Sequence, residues 1–338
     1  MLTHSSSPRN ALWFPLQGPD SDVVVFSEIF LARNLATLPF LHRMTDAQRL
    51  ELRRMVETAF QEQEETYRLI DAEQQSDALR AFHAFRGHFA DTGATSIAVV
   101  DDASSSFVRF GVRDHLEISA RAGGFDLHGP RQRCEHIDQL LEDRLEYAVS
   151  LQLGYLGPDL RRVGSGLTAA VYLHLSALEQ SEAVEGVVQP GDGECTIDHI
   201  GGLYRISYAA RAGEPEEETL STLAGYANRL VHYEREARGN LLSHHSEAVA
   251  EAGHRALGTL LHARRLAASE SAELINVLRF AVAAGLVDEV SLPLATELMM
   301  KSHDSQVAVL TDDDSSALDI RRARLMKDVY RSRAGTGV

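Results

Sequence analysis

Val163-Gly164-Ser165-Gly166 forms a turn in which successive backbone N–H groups can face an anion. It closes a glycine-bounded loop, Gly154 to Gly166, that leads into an apolar run ending at Leu178. A plain turn ahead of a strand or helix is the other reading of Gly-Ser-Gly. The turn is not a nucleophile elbow, which needs glycine two residues either side of the serine. The chain has neither a Walker loop nor a dinucleotide fingerprint. Fifteen histidines invite a metal reading, but His244-His245 are adjacent and Cys134-Glu135-His136 is one short cluster. Neither has the paired spacing of a structural zinc site, so no metal site is expected.

Composition narrows the class. The 338 residues can hold one large or two moderate domains with a full core. With 49 acidic against 33 basic residues the net charge is −16, which argues against nonspecific nucleic-acid binding and against adsorption to an anionic membrane. Cys134 and Cys195 are too few for a secreted disulfide scaffold and read as reduced thiols. The first ten residues lack a signal-peptide pattern, and no apolar run approaches a membrane span. The expectation is a cytoplasmic protein.

The elements that must position the loop show as periodicities. Residues 23–26 are a short extended segment running into Ser27. Thr45-Asp46-Ala47-Gln48 has the pattern of a capping box, and Leu52, Met55, Val56, Ala59 and Phe60 recur at helical spacing behind it, predicting a helix to about Arg68. A second helix is predicted over 76–89, and strands over 95–100, 106–112 and 116–120. Ile137, Leu140, Leu141, Leu145 and Ala148 line one face of a helix that ends just before the glycine loop. Pro215 followed by Glu216, Glu217 and Glu218 suits the first turn of a long helix. From about Asn240 the pattern is helical, interrupted by an acidic loop at 311–316.

Taken together, these stretches resemble the guanidino phosphotransferases: the arginine and creatine kinases and, most closely, the bacterial protein-arginine kinases of the McsB family. That family's signature reads roughly Gly-Tyr-Leu-Thr-x-Cys-Pro-Thr-Asn-x-Gly-Thr-Gly-Leu-Arg-Ala-x-Val, followed by His-Leu-Pro-x-Leu. Gly154-Tyr155-Leu156, Val163-Gly164-Ser165-Gly166-Leu167, Ala169, Val171 and His174-Leu175 keep its frame. Ser27 to Asn34 is similar to Ser-Ser-Arg-Ile-Arg-Leu-Ala-Arg-Asn, with Ile29, Leu31, Ala32, Arg33 and Asn34 matching. Arg113-Asp114-His115-Leu116-Glu117-Ile118 is similar to Glu-Asp-His-x-Arg-Ile, and Leu318-Asp319-Ile320-Arg321-Arg322-Ala323 to Arg-Asp-x-x-Arg-Ala. Residues 187–194 stand where the family has Arg-Gly-x-Tyr-Gly-Glu, of which Gly193-Glu194 survive, and Leu203 to Ser207 resemble the strand that follows.

The resemblance runs from about residue 18 to residue 324 and implies an α+β fold. An antiparallel sheet flanked by helices would occupy 21–240 behind a flexible arm (1–20) that docks through Trp13 and Phe14. A helical C-terminal domain would occupy 241–338. It implies ATP and magnesium as cofactors, bound at the positions of Ser27, Glu28, Phe30, His88, Glu117, Thr168 and Gln189. A surface histidine is the other reading of His88. It also implies a phosphoarginine-binding element at Asp319 and Arg322, for which an intrahelical ion pair is the alternative.

The chemical positions depart from the pattern. Guanidino kinases hold phosphates with arginines, and Glu28, Phe30, Glu117, Thr168 and Gln189 occupy those places. Arg113 replaces a catalytic-site glutamate and Asp159 the reactive cysteine, leaving Glu194 as a possible carboxylate base. A salt-bridge swap between surface neighbours is one reading of Arg113 and Glu117. Arg113, Arg161 and Arg162 are cations that could compensate. Several lost phosphate contacts would exhaust ordinary ATP affinity, so the expectation is a pseudokinase with a binding or regulatory role. An active kinase with a rearranged pocket and a phosphoarginine reader are the alternatives. A protein partner, a second copy of the chain, a zinc-finger activator or a Clp-type protease system are the partners the family implies.

Overall fold

The computed structural model describes residues 2–4, 12–61, 65–90, 96–159, 163–187, 195–311 and 315–334. Its centre is a nine-stranded sheet. β2 (Val24–Arg33) lies between β6 (Leu116–Gly123) and β9 (Leu167–Leu173), antiparallel to both. Beyond β6 follow β5 (Ser106–Phe110), β4 (Ile97–Asp101), β3 (Tyr67–Asp71) and the edge strand β1 (Leu2–His4); beyond β9 follow β11 (Leu203–Ala209) and β10 (Thr196–Ile200). Only the β1–β3 pair is parallel among these.

Side chains alternate across a strand, and this alternation divides the sheet. Ile29, Leu31, Ile118, Ala120, Ala169, Val171 and Ile206 face one side and form the main core with Val56 and Phe60 of α1 (Asp46–Gln61), Ile137 and Leu141 of α3 (His128–Glu142), and Leu223 and Leu230 of α6 (Glu216–His262). The other face is polar along its centre and carries the site described below. Thr45 and Gln48 make the reciprocal bonds of the predicted capping box, and Pro215 is the N-cap of α6.

Three predicted helices end early. The one over 76–89 stops at Phe85, and the one expected to include Leu145 and Ala148 stops at Glu142. The helix expected to reach Arg68 ends at Gln61, and Arg68 lies in β3. All five residues of β3 are buried, so the strand carries no alternation that could announce it. In the segment expected as an arm that docks through Trp13 and Phe14, both described parts are held and those two residues are docked. Leu2–His4 pair with β3, and Leu12, Trp13 and Phe14 are buried against Phe26, Leu203 and Met300. Residues 240 and 241 lie within α6, which runs 47 residues and breaks helical geometry only at His245.

The C-terminal core is built from α7 (Ala268–Ala283), α8 (Leu292–Lys301), α9 (Asp304–Leu310), α10 (Leu318–Ala334) and the end of α6. It meets the sheet domain through α9, which packs on α2 (Asp77–Phe85). Buried Gln306 accepts from Arg86 Nε at 3.1 Å and donates to the Phe82 carbonyl. Both cysteines are buried thiols outside any disulfide. Among the described residues no cluster of His, Cys, Asp or Glu could hold a metal ion, and no helix is long and apolar enough to cross a membrane.

Candidate functional site: a polar cleft on the sheet

Register brings the altered positions together. Phe30 and Ala32 of β2 stand opposite Ser119 and Glu117 of β6, and Phe30 opposite Thr168 of β9. Glu117 in turn stands opposite Arg109 of β5, and Thr168 opposite Ala209 of β11. Of these, Phe30, Ala32, Glu117, Arg109, Thr168 and Ala209 line a cavity of 430 Å³ with Arg205, Ser207 and Thr196. Val112 and Arg113 complete it from the β5–β6 turn. That volume suits a small-molecule site.

Two of the three arginines that line the cavity, Arg109 and Arg205, are already engaged. Arg109 forms an ion pair with Glu117 and donates to the Gly87 carbonyl at 3.2 Å. Arg205 donates to Tyr172 Oη at 3.2 Å, Asp198 Oδ2 at 3.1 Å and Ser207 Oγ at 3.0 Å. Deeper on the same face, Glu28 is 1 % exposed and accepts from Arg121 Nε at 2.6 Å, Ser119 Oγ at 3.0 Å and Tyr172 Oη at 2.9 Å. Burial and the Glu28 carboxylate push the Tyr172 phenol up, so it stays a donor. Arg113 is exposed and makes no ion pair among the described residues.

Glu117 is therefore paired across the strands with Arg109, not with its sequence neighbour Arg113. Cross-strand distance, not chain distance, decides the partner. Arg109, Arg121, Arg205 and Tyr172 did not stand out in the sequence. The available signal was an arginine at alternating positions of strands that are otherwise apolar.

Other predicted positions lie apart. Ser27 faces the opposite side, donating to the Gly124 carbonyl at 2.8 Å. His88 is buried, not superficial: it packs edge-on against Phe107 and its Nδ1 lies 3.2 Å from His83 Nδ1. Burial holds it well below the usual histidine range, hence neutral. Asp159 is half-buried at the end of its described segment. Arg161, Arg162, Gln189 and Glu194 lie outside the described residues.

The Gly-Ser-Gly turn is a corner. Gly164 exchanges both backbone hydrogen bonds with Tyr155, and the Ser165 carbonyl accepts from Arg33 at 2.8 Å. Gly166 has φ +68°, and a Cβ there would lie 2.6 Å from the Ala32 carbonyl oxygen, so only glycine fits. Arg33 also grips Asp138 through two nitrogens and stacks on Tyr155 at 3.6 Å. His115 Nδ1 accepts from Leu35 N–H, which leaves Nε2 protonated to donate to the Pro39 carbonyl at 3.0 Å. These residues of the shared frame hold the sheet's end together.

In the C-terminal core, Arg322 is 1 % exposed. Its Nε donates to the Ser302 carbonyl at 2.9 Å, Nη1 to the Leu266 carbonyl at 2.6 Å and Asp319 at 3.4 Å, and Nη2 to Asp304. All three nitrogens have protein partners, the i,i+3 pair with Asp319 among them.

Comparison with known proteins matches this architecture. The profile of the ATP:guanido phosphotransferase C-terminal catalytic domain covers residues 44–237, and that of the protein-arginine kinase McsB C-terminal domain covers 246–335. The chain belongs to the ATP:guanido phosphotransferase family. It is 30% identical to the protein-arginine kinase of Symbiobacterium thermophilum over 95% of this chain and 97% of that one. It is 27% identical to that of Halothermothrix orenii over 93% and 95%, and 25% identical to that of Bacillus subtilis over 97% and 95%. Among solved structures, lombricine kinase superposes with a TM-score of 0.56 at 17% identity, covering 69% of this chain and 72% of that one. The duplicated taurocyamine kinase of Schistosoma mansoni gives 0.53 at 18%, covering 73% and 40%. These structures share the fold: a sheet flanked by helices, α+β, here extended by the helical C-terminal part.

Proposed function

We propose that this member of the protein-arginine kinase group is a pseudokinase: its cleft no longer holds a triphosphate, and it acts by binding rather than phosphoryl transfer. The observation that carries this reading is the pair of cross-strand ion pairs, Glu28 with Arg121 and Glu117 with Arg109. Family resemblance puts phosphate-binding arginines at both glutamate positions. Phosphoryl transfer asks the protein for positioning and for positive charge on the transferring group. Here each carboxylate neutralises the nearest guanidinium, and Asp198 does the same for Arg205. Arg113 is the one lining arginine without an ion pair among the described residues.

ATP and magnesium do not fit this donor set. A triphosphate would have to displace two carboxylates from their partners, and losing one partner of a close charge pair costs roughly 2–5 kcal/mol. Arg322, with each nitrogen engaged inside the protein, gives a phosphoarginine reader little to work with. A protein partner follows from a binding role. A second copy, an activator protein and a Clp-type protease are the partners to test by the same resemblance.

The test is a thermal-melt titration with Mg·ATP, with phosphoarginine assayed on an added protein substrate. A ligand at 100 times its dissociation constant stabilises a fold by about 2.7 kcal/mol. No shift at millimolar nucleotide and no phosphoarginine is the expected result. A saturable shift with product formation would mean an active kinase with a rearranged pocket.

A further inference from the structure

Asn34, just beyond β2, acts as a bracket. Its Nδ2 donates to Asp114 Oδ1 at 2.8 Å and to the Leu156 carbonyl at 3.1 Å, and its Oδ1 accepts from His115 N–H at 3.0 Å. Its own carbonyl accepts from Ala148 N–H at 2.7 Å. One residue thus ties the β5–β6 turn to the root of a small hairpin, β7 (Val149–Ser150) and β8 (Gly154–Tyr155).

Both tied segments leave apolar side chains in water. Val149 and Leu153 are half exposed, Leu151 is fully exposed at the hairpin tip, and Val112 is exposed on the turn. They are four of the seven large apolar residues exposed among the described residues, so the chain's exposed apolar surface is concentrated at this rim. Such concentration marks an interaction site. Next to Val112 stands Arg113, exposed and without an ion pair among the described residues, while its neighbour Asp114 is buried and turned to Asn34.

We propose that this rim docks an extended segment of another protein that carries an acidic side chain flanked by apolar ones. The apolar residues of the segment would cover Val112, Leu151 and Leu153, and its carboxylate would meet Arg113. Charge selects this occupant. A segment with lysine or arginine at the central place is repelled by Arg113. A second copy seated here about a two-fold axis would bring Arg113 up to its own counterpart, like charge against like. The inference goes beyond the nucleotide question, since none of these rim contacts requires an occupied cleft.

The experiment is fluorescence anisotropy of the full chain with labelled ten-residue peptides. The probe carries one glutamate between leucines on a glycine–serine background, with glutamine and arginine versions as controls. Tightest binding by the glutamate peptide is expected, about fivefold weaker binding by the glutamine form, and weakest binding by the arginine form. Arg113→Glu should invert the preference between the glutamate and arginine peptides. Leu151→Ser with Leu153→Ser should weaken every peptide by about tenfold or more. These positions are exposed, so the variants keep the fold. Equal affinity for the three peptides, or no binding at millimolar concentration, overturns the proposal. Self-association in sedimentation that the serine pair abolishes also overturns it, by giving the rim to a second copy.

Discussion

At the scale of single residues, Glu28 is informative because it is buried and yet fully paired. Its carboxylate takes Arg121, Ser119 and Tyr172, and Arg121 extends the chain to the Arg86 carbonyl at 2.7 Å. A buried ion pair adds little stability relative to an apolar pair of similar shape, but breaking it leaves a desolvated charge. Glu28→Gln should therefore cost about 3–5 kcal/mol. Glu28→Met combined with Arg121→Met should cost far less than the sum of the two single changes. Urea unfolding of the four proteins measures the coupling. Additive costs would show that the two side chains are not one unit, and the neutralised-cleft argument would lose its strongest member.

At the scale of elements, the end of α2 and the turn after it carry two buried histidines in contact, His83 and His88. Burial, with help from Arg86 and Arg68, pushes His83 down to about 3, and burial with His83 and the arginines Arg121, Arg86 and Arg68 holds His88 well below its usual range. Both are neutral in the folded chain and regain an ordinary value near 6.5 on unfolding. The unfolded state then binds more protons below that value, so stability is level above about pH 6.5 and falls as pH drops toward 3. Each histidine contributes up to about 1.4 kcal/mol per pH unit in that window. Between pH 6.5 and 5 buried His174, with His115 and His303, acts in the same direction and Glu234, pushed up to about 7 by burial, acts against them, so the effect of this pair is read as a difference between the parent and a variant. His83→Gln should lower the slope by up to about 1.4 kcal/mol per pH unit; an unchanged slope would place the acid sensitivity elsewhere. Elements of this kind differ in how well the sequence announces them. The strands β4 to β6 were legible because their turns and branched residues are local signals, and α1 because its cap is a four-residue pattern. β3 was not, since covering both its faces erases the alternation. The ion pairs of the cleft were not legible either. Arg109 and Glu117 are eight residues apart in the chain, and the register that makes them neighbours is a property of the folded sheet.

At the scale of the molecule, the two matched segments are one continuous structure. α6 passes through both, and its Arg235 and Arg238 are held by Asp22 at 2.6 and 2.9 Å. From the other side Arg279 of α7 donates to the Ser21 carbonyl at 2.8 Å, and Phe85 stacks on His303 at 4.0 Å. Trp13 sits at the centre of this joint. It packs edge-on against Phe14 and Phe85, lies 4.9 Å from the Arg86 guanidinium and shares a cluster with Met300 of α8. Removing a buried aromatic costs about 3–5 kcal/mol, and here the loss falls on the surface between two cores, not inside either. Trp13→Ala should therefore loosen the coupling more than it weakens the cores themselves. Calorimetry of the parent should give one cooperative transition, and the variant should melt in two, the first at lower temperature. A single transition at the parent temperature would mean that α6 and the Asp22 contacts couple the cores without the N-terminal segment.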